Sequence, residues 1–141
     1  KDCDLVELTQ MAVNIFHHQH IVFSSNKALI YYKLDRTQWV RVITNLVQNA
    51  LQSVPKSRIP QIGVQLFSEP NQIILSIIDN GNGISIENKE KIFEPKFTTK
   101  NSGMGLGLGI VKNIVESHKG TIRCVSKIKK GTTFTITLPK W

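Results

Sequence analysis

The stretch NQIILSIIDNGNG, residues 71–83, constrains the fold more than any other part of the chain. Ile73, Ile74, Leu75, Ile77 and Ile78 follow one another almost without a break and stop at Asp79. Apolar residues at odd and even positions alike mark a strand expected to lie centrally in a sheet, covered on both faces. QIGVQLF precedes it across the turn-forming link SEPN, so the two segments read as a hairpin.

Helical spacing surrounds that hairpin. Behind a cap at Asp4, the residues Leu5, Leu8, Met11, Ala12 and Ile15 recur at helical intervals. HIVFSS and ALIYYKL then read as short strands, and Trp39, Ile43, Leu46, Ala50 and Val54 form the stripe of a second helix that Pro55 stops. Beyond the hairpin, SIENKEKIF reads as a short helix, EPKFTTKNSG as an irregular loop, and GLGIVKNIVESHKG as a third main helix closed by Gly120. TIRCVSKI and TTFTITLP finish the chain as two strands joined around Lys129 to Gly131. The pattern is α+β, a two-layer α/β sandwich with helices packed on one face of a mixed sheet. No repeat, low-complexity segment or internal boundary interrupts it, so residues 1–141 are expected to form a single domain with its own core.

Composition narrows the function classes. The formal net charge is +8, and the 18 Lys and Arg are spread along the chain without aromatic interleaving. That fits a solvated basic surface, or a phosphate-bearing ligand, better than a nucleic-acid face. Cys3 and Cys124 are too few and too far apart for a metal cluster or a disulfide framework, so both are expected as free thiols in a reducing, cytoplasmic compartment. No apolar run approaches membrane-span length and no signal peptide leads the chain, so no membrane contact is expected of this domain. Lys1 rather than methionine opens it, and a longer parent is expected.

Three motifs carry chemistry. In NSGMGLGLGIVKN, glycines at 103, 105, 107 and 109 alternate with Met104, Leu106, Leu108 and Ile110. Glycine costs a helix about 1 kcal/mol relative to alanine, yet this segment runs straight into one. Leu108 and Ile110 stand where a dinucleotide fingerprint would need its last glycine, and no GxxxxGK[ST] occurs. What remains is either a flexible glycine loop or a bare helix entry whose N–H groups and macrodipole hold an anion. The second motif, IIDNGNGIS, leaves Asp79 at a core edge where a carboxylate needs donors. Gly81 and Gly83 would let a flat group such as adenine approach, although Asp-Asn-Gly is also a common turn. The third, NLVQNALQS, sets Asn45 and Asn49 one helical turn apart, offset from the apolar stripe. Such a pair is either incidental or a source of hard amide oxygens suited to Mg²⁺.

In this order the motifs resemble the ATP-binding domain shared by gyrase, the heat-shock chaperone, histidine kinases and the mismatch-repair ATPase, over nearly the whole chain. KIFEPKFTTK, with Phe93 and Phe97, is similar to the two-phenylalanine box of bacterial sensor histidine kinases. TTKNSGMGLGLGIVKNIVESHKGTI looks most like the nitrogen-regulation type, and KKGTTFTITLP is similar to the family's last glycine box. The resemblance implies a Bergerat-type ATP-binding fold, a mixed and mostly antiparallel sheet of about five strands with three main helices on one face. It implies ATP and Mg²⁺ as cofactors, Asn49 as the Mg²⁺ ligand, and Asp79 as acceptor for the adenine amino group. It also implies that Gly83 and Thr132 support adenine through water, with Gly81 beside them and Ile84 lining the pocket. A mobile lid over residues 93–107 would carry Thr99, Lys100, Gly103, Met104, Gly105, Leu106 and Gly107. Its backbone from Gly103 to Leu108 would wrap the phosphates while Leu106 and Leu108 anchor its base in the core.

The hydrolysing members of that superfamily hold a glutamate at the place of Asn45, which cannot act as a base. The implied reaction is therefore transfer of the γ-phosphoryl group to a histidine on a separate dimerisation domain, and from there to a response regulator receiver, with no hydrolysis. Gln52 stands where many sensor kinases have a lysine, so Lys100, with Lys56 behind it, is expected to supply charge for the phosphates. His17, His18, His20 and His118 lack the acidic neighbour of a phosphoacceptor, which places the acceptor outside this chain. Asn45 and the phenylalanine box argue against a gyrase-type ATPase, and the box also argues against an anti-sigma serine kinase. An ATP-binding scaffold without transfer stays open through Gln52.

Overall fold

The computed structural model describes residues 2–17, 20–89, 91–93 and 104–140, with side chains from Gly107 onward in the last stretch. In chain order its elements are β1 (Asp2–Asp4), α1 (Leu5–Asn14), β2 (Ile21–Ser25), β3 (Tyr31–Lys33), α2 (Arg36–Ser53), β4 (Ile62–Ser68), β5 (Gln72–Asp79), α3 (Ile86–Lys89), α4 (Met104–Ser117), β6 (Thr121–Lys127) and β7 (Gly131–Pro139). Five strands form one sheet in the order β2-β4-β5-β7-β6. β2 and β4 run parallel and the remaining pairs antiparallel, so the sheet is mixed and mostly antiparallel. The β4–β5 hairpin and the central place of β5 match the sequence expectation.

Coverage of β5 differs from that expectation. Ile73, Leu75, Ile77 and Asp79 are buried, whereas Ile74, Ser76 and Ile78 are only half-buried. Among the described residues the helices pack against one face, and on the other face Ile74, Ser76 and Ile78 stand beside their cross-strand neighbours Thr137, Thr135 and Thr133. Leu66, Leu75, Ile77, Phe134 and Ile136 from the covered face meet Leu8, Val42, Ile43, Leu46 and Val111 from the helices in one core. Full burial of each such side chain stabilises the fold by about 1.5–3 kcal/mol.

Local chemistry explains where the helices begin. The Asp4 carboxylate accepts from Val6 N (3.1 Å) at the start of α1 and from Ile30 N (3.0 Å). One side chain thus caps a helix and draws in the segment leading to β3. β3 consequently pairs with β1 in a separate two-stranded sheet, although only a strand at ALIYYKL, and not its partner, was expected from the sequence. Asp35 caps α2 by accepting from Gln38 N at 3.2 Å. Val54, forced out of helical geometry by the proline that follows, ends that helix.

Two further expectations are corrected. Met11 and Ile15 are 46% and 55% exposed, because α1 is rolled to bury Thr9 and Val13 beside Leu5, Leu8 and Ala12. Thr9 is inside because its hydroxyl accepts from the Trp39 indole N–H at 2.9 Å, giving a buried donor its partner. The short helix in SIENKEKIF spans only Ile86–Lys89, held by Ser85 Oγ accepting from Asn88 N. α4 closes at Gly120 as expected: Lys119 takes the left-handed turn (φ 61°) and Gly120 N donates back to Val115 O at 3.0 Å. Glycine is needed at 120 because a Cβ there would lie 2.5 Å from the Thr137 carbonyl oxygen, hard against β7. No helix among the described residues is long and apolar enough to cross a membrane.

Candidate nucleotide site

Three strands end in register to build one wall of the site. Asp79 of β5 pairs with Thr132 of β7, which pairs with Ser126 of β6. Asp79 is only 6% exposed, and its Oδ1 accepts from Gly81 N (2.8 Å) and Thr132 N (3.2 Å). Two backbone N–H bonds on one oxygen fix the orientation of the carboxylate. Next to it, Ser126 Oγ accepts from Ile84 N (2.7 Å) and donates to Gly131 O (3.1 Å). The buried Thr132 hydroxyl lies 2.8 Å from Ser126 Oγ and is left as the donor of that pair. Asp79, Gly81, Ile84 and Thr132, all expected site residues, are thereby brought together. Ser126 was missed, although alternation in TIRCVSKI puts it on the inward face with Ile122 and Cys124.

The two glycines after Asp79 serve packing. A Cβ on Gly81 would collide with Ser53 at the end of α2, whose carbonyl also accepts from Asn82 N at 3.0 Å. Gly83 has φ +78°, and a Cβ there would press on the Lys127 carbonyl. Lys129 N donates to Asn82 O at 2.6 Å, so the β6–β7 turn backs the loop from the other side. The Asp79 loop is therefore clamped between α2 and the last hairpin.

Asn49 and Asn45 lie on α2, whose last residue, Ser53, meets the Asp79 loop. Asn49 is 7% exposed, and among the described residues its Oδ1 is a buried oxygen with no hydrogen-bond partner. Such atoms are uncommon, and each marks a place where a ligand, ion or water completes the structure. A hard, neutral amide oxygen suits Mg²⁺, so this donor fits that ion. Asn45 is half-buried and faces α4, where a Cβ added to Gly107 would sit 3.5 Å from its Oδ1. Leu108 is buried in the core as expected. Residues 104–107 of the expected lid form the first turn of α4, while Thr99, Lys100 and Gly103 lie outside the described residues, as does Phe97. Nothing is described of the Met104, Gly105 and Leu106 side-chain positions beyond their place in that turn. Gln52 is half-buried and Lys56 exposed.

Two further groups border the site. Phe93 meets Phe134 edge to face, with centroids 6.3 Å apart, and Lys112 Nζ stands 5.5 Å from the Phe93 ring. Phe134 is two residues beyond Thr132 on the same strand face, so the base of the phenylalanine box rests against the strand that holds Asp79. Burial pushes the Cys124 thiol up from 9.0 to about 11, with Lys89 lowering it and Asp79 raising it.

Comparison with known proteins agrees with this geometry. Residues 34–141 match the family of histidine kinase-, DNA gyrase B- and HSP90-like ATPases. The chain is 39% identical over 117 residues to the sensor histidine kinase ZraS of Escherichia coli, covering 83% of this chain and 25% of that protein. It is 36% identical over 117 residues to sporulation kinase A of Bacillus subtilis, covering 83% and 19%. It thus spans about a quarter or less of the length of these curated relatives. The fold matches the nucleotide-free catalytic domain of histidine kinase ThkA with a TM-score of 0.88 at 31% identity, covering 99% of this chain and 95% of that one. ThkA in complex with the response regulator TrrA is matched at TM-score 0.83 and 28% identity, covering 100% and 42%. The chain belongs to the histidine kinase-, gyrase B- and HSP90-like ATPase family and is homologous within it to the catalytic domains of sensor histidine kinases.

Proposed function

We propose that residues 1–141 are the single ATP-binding catalytic domain of a sensor histidine kinase of the nitrogen-regulation type, acting in the cytoplasm. The domain binds ATP with Mg²⁺ and presents the γ-phosphoryl group to a histidine on the dimerisation domain of its parent protein, which then supplies a response regulator. The observation that carries this reading is the pairing of a buried, backbone-held carboxylate, Asp79, with a buried amide oxygen, Asn49 Oδ1, that has no partner among the described residues.

Each residue has a distinct task. Asp79 accepts from the adenine amino group, and Gly81, Gly83, Ile84 and Thr132 form the floor and rim around the base. Asn49 holds Mg²⁺ and Asn45 flanks the phosphates. Mg²⁺ when bound neutralises phosphate charge and fixes the reacting oxygens. Met104, Gly105 and Leu106 offer free backbone N–H groups at the start of α4, where the helix dipole favours anions, with Gly107 and Leu108 completing that turn and Gly103 expected to act with them. Thr99 and Lys100 add side-chain contacts to the phosphates. Asn45 cannot deprotonate water, so bound ATP is held for an incoming nucleophile.

Equilibrium titration of the chain with ATP, with and without Mg²⁺, tests the reading. Saturable binding that Mg²⁺ tightens is expected; no binding in either condition would overturn it.

A further inference from the structure

We infer that Arg58 is a positioning residue for the Asp79 carboxylate and thereby sets the preference for adenine, an inference that rests on the nucleotide reading above. Arg58 lies in the turn after α2, its own N–H donating to Pro55 O at 3.0 Å. Its half-buried guanidinium donates from Nη1 to Asn80 O and, at 3.1 Å, to Gly81 O. The Asn80 carbonyl and the Gly81 N–H belong to the same peptide, and that N–H donates to Asp79 Oδ1 at 2.8 Å. A continuous chain therefore runs from a permanent cation, through one peptide unit, to the carboxylate. The cation polarises the peptide, strengthening and aiming the bond at its far end.

The surrounding contacts serve the same end. Asn80 Oδ1 accepts from Gln61 N (2.9 Å), and Asn80 Nδ2 donates to Ile59 O (2.9 Å). The segment following α2 thus grips both the backbone and the side chain of the residue between Asp79 and Gly81. Arginine suits the place because the two N–H groups of Nη1 are held in one plane and reach two successive carbonyls, whereas lysine offers a freely rotating, compact point charge.

Arg58→Ala and Arg58→Lys, each compared with the unsubstituted chain for ATP affinity, GTP affinity, Mg²⁺ dependence and melting temperature, test the inference. In Arg58→Ala the preference for ATP over GTP is expected to narrow by about tenfold, because the Gly81 N–H bond that aims the carboxylate loses its support. Mg²⁺ should still tighten ATP binding, because Asn49 is untouched. Arg58→Lys should fall between the two, and its narrowed preference carries the test if the alanine variant does not fold. A lower melting temperature with the ATP preference unchanged in the folded variants would show a purely structural arginine and overturn the inference alone. Failure of the unsubstituted chain to bind ATP would overturn the nucleotide reading and this inference with it.

Discussion

Thr132 and Asp79 stand directly opposite one another on β7 and β5, and the Thr132 N–H donates to the Asp79 carboxylate at 3.2 Å. A ladder position that would ordinarily serve only the sheet here also aims a buried carboxylate. Replacing Asp79 by asparagine keeps an acceptor for Gly81 and Thr132 but removes the charge and presents a donor toward the base. ATP affinity is expected to fall by about tenfold to a hundredfold, the range for a lost hydrogen bond to a charged group. Calorimetric titration of the folded variant checks this, and unchanged affinity contradicts the assignment.

Asn49→Ala separates metal from base. The alanine removes a buried oxygen that has no partner among the described residues, so folding stability should change by less than about 1 kcal/mol. ATP binding should persist in weakened form, while its dependence on Mg²⁺ largely disappears. Titrations across a magnesium series read the outcome, and an equal response in variant and unsubstituted chain would leave Asn49 a plain helix residue.

The Thr9–Trp39 contact is structural and should behave so. Thr9→Val leaves the buried indole N–H without an acceptor and is expected to cost about 1–3 kcal/mol of stability. Denaturant unfolding measures the loss. ATP affinity at a temperature where the variant is folded should stay within about twofold of the unsubstituted chain, since this contact lies between α1 and α2.

Cys124 gives a pH signature. Its thiol is raised to about 11 in the folded chain by burial, against an ordinary 9.0. The folded state therefore keeps its proton where the unfolded state loses it. The associated stability is present in full below pH 9 and is lost as the pH rises toward 11. Melting temperature across that window should fall more steeply in the unsubstituted chain than in Cys124→Ala, which isolates this thiol from other alkaline groups. Parallel curves would contradict the assignment. Alkylation of the folded chain near pH 8 should correspondingly be slow at Cys124.

Local signals carried much of the fold. Asp4 caps where it was expected, SEPN closes the β4–β5 hairpin, and Pro55 ends α2 through Val54. The ordered motifs, and the resemblance they carry, named Asp79, Gly81, Ile84 and Thr132 as candidates, and the fold brings these four together. What stayed hidden depends on pairing across distance. Thr9 looks like a break in an apolar stripe until Trp39 arrives from α2. Ser126 looks like a strand hydroxyl until β7 sets Thr132 beside it. Arg58 looks like a loop cation because its acceptors are backbone carbonyls more than twenty residues away, which leave no trace in composition. The exposure of Met11 and Ile15 follows from the same roll of α1 that buries Thr9.

Transfer to a separate histidine is the central claim, and a labelling experiment tests it most directly. The chain is incubated with γ-labelled ATP and Mg²⁺, alone and with the histidine-bearing segment of its parent protein. Without a tether the effective concentration is low, so transfer should be slow but measurable at high protein concentration. The account predicts acid-labile, base-stable label on the added segment, none on this chain, and little free phosphate from the chain alone. Rapid phosphate release by the chain alone, or label on His17, His18, His20 or His118, would contradict it.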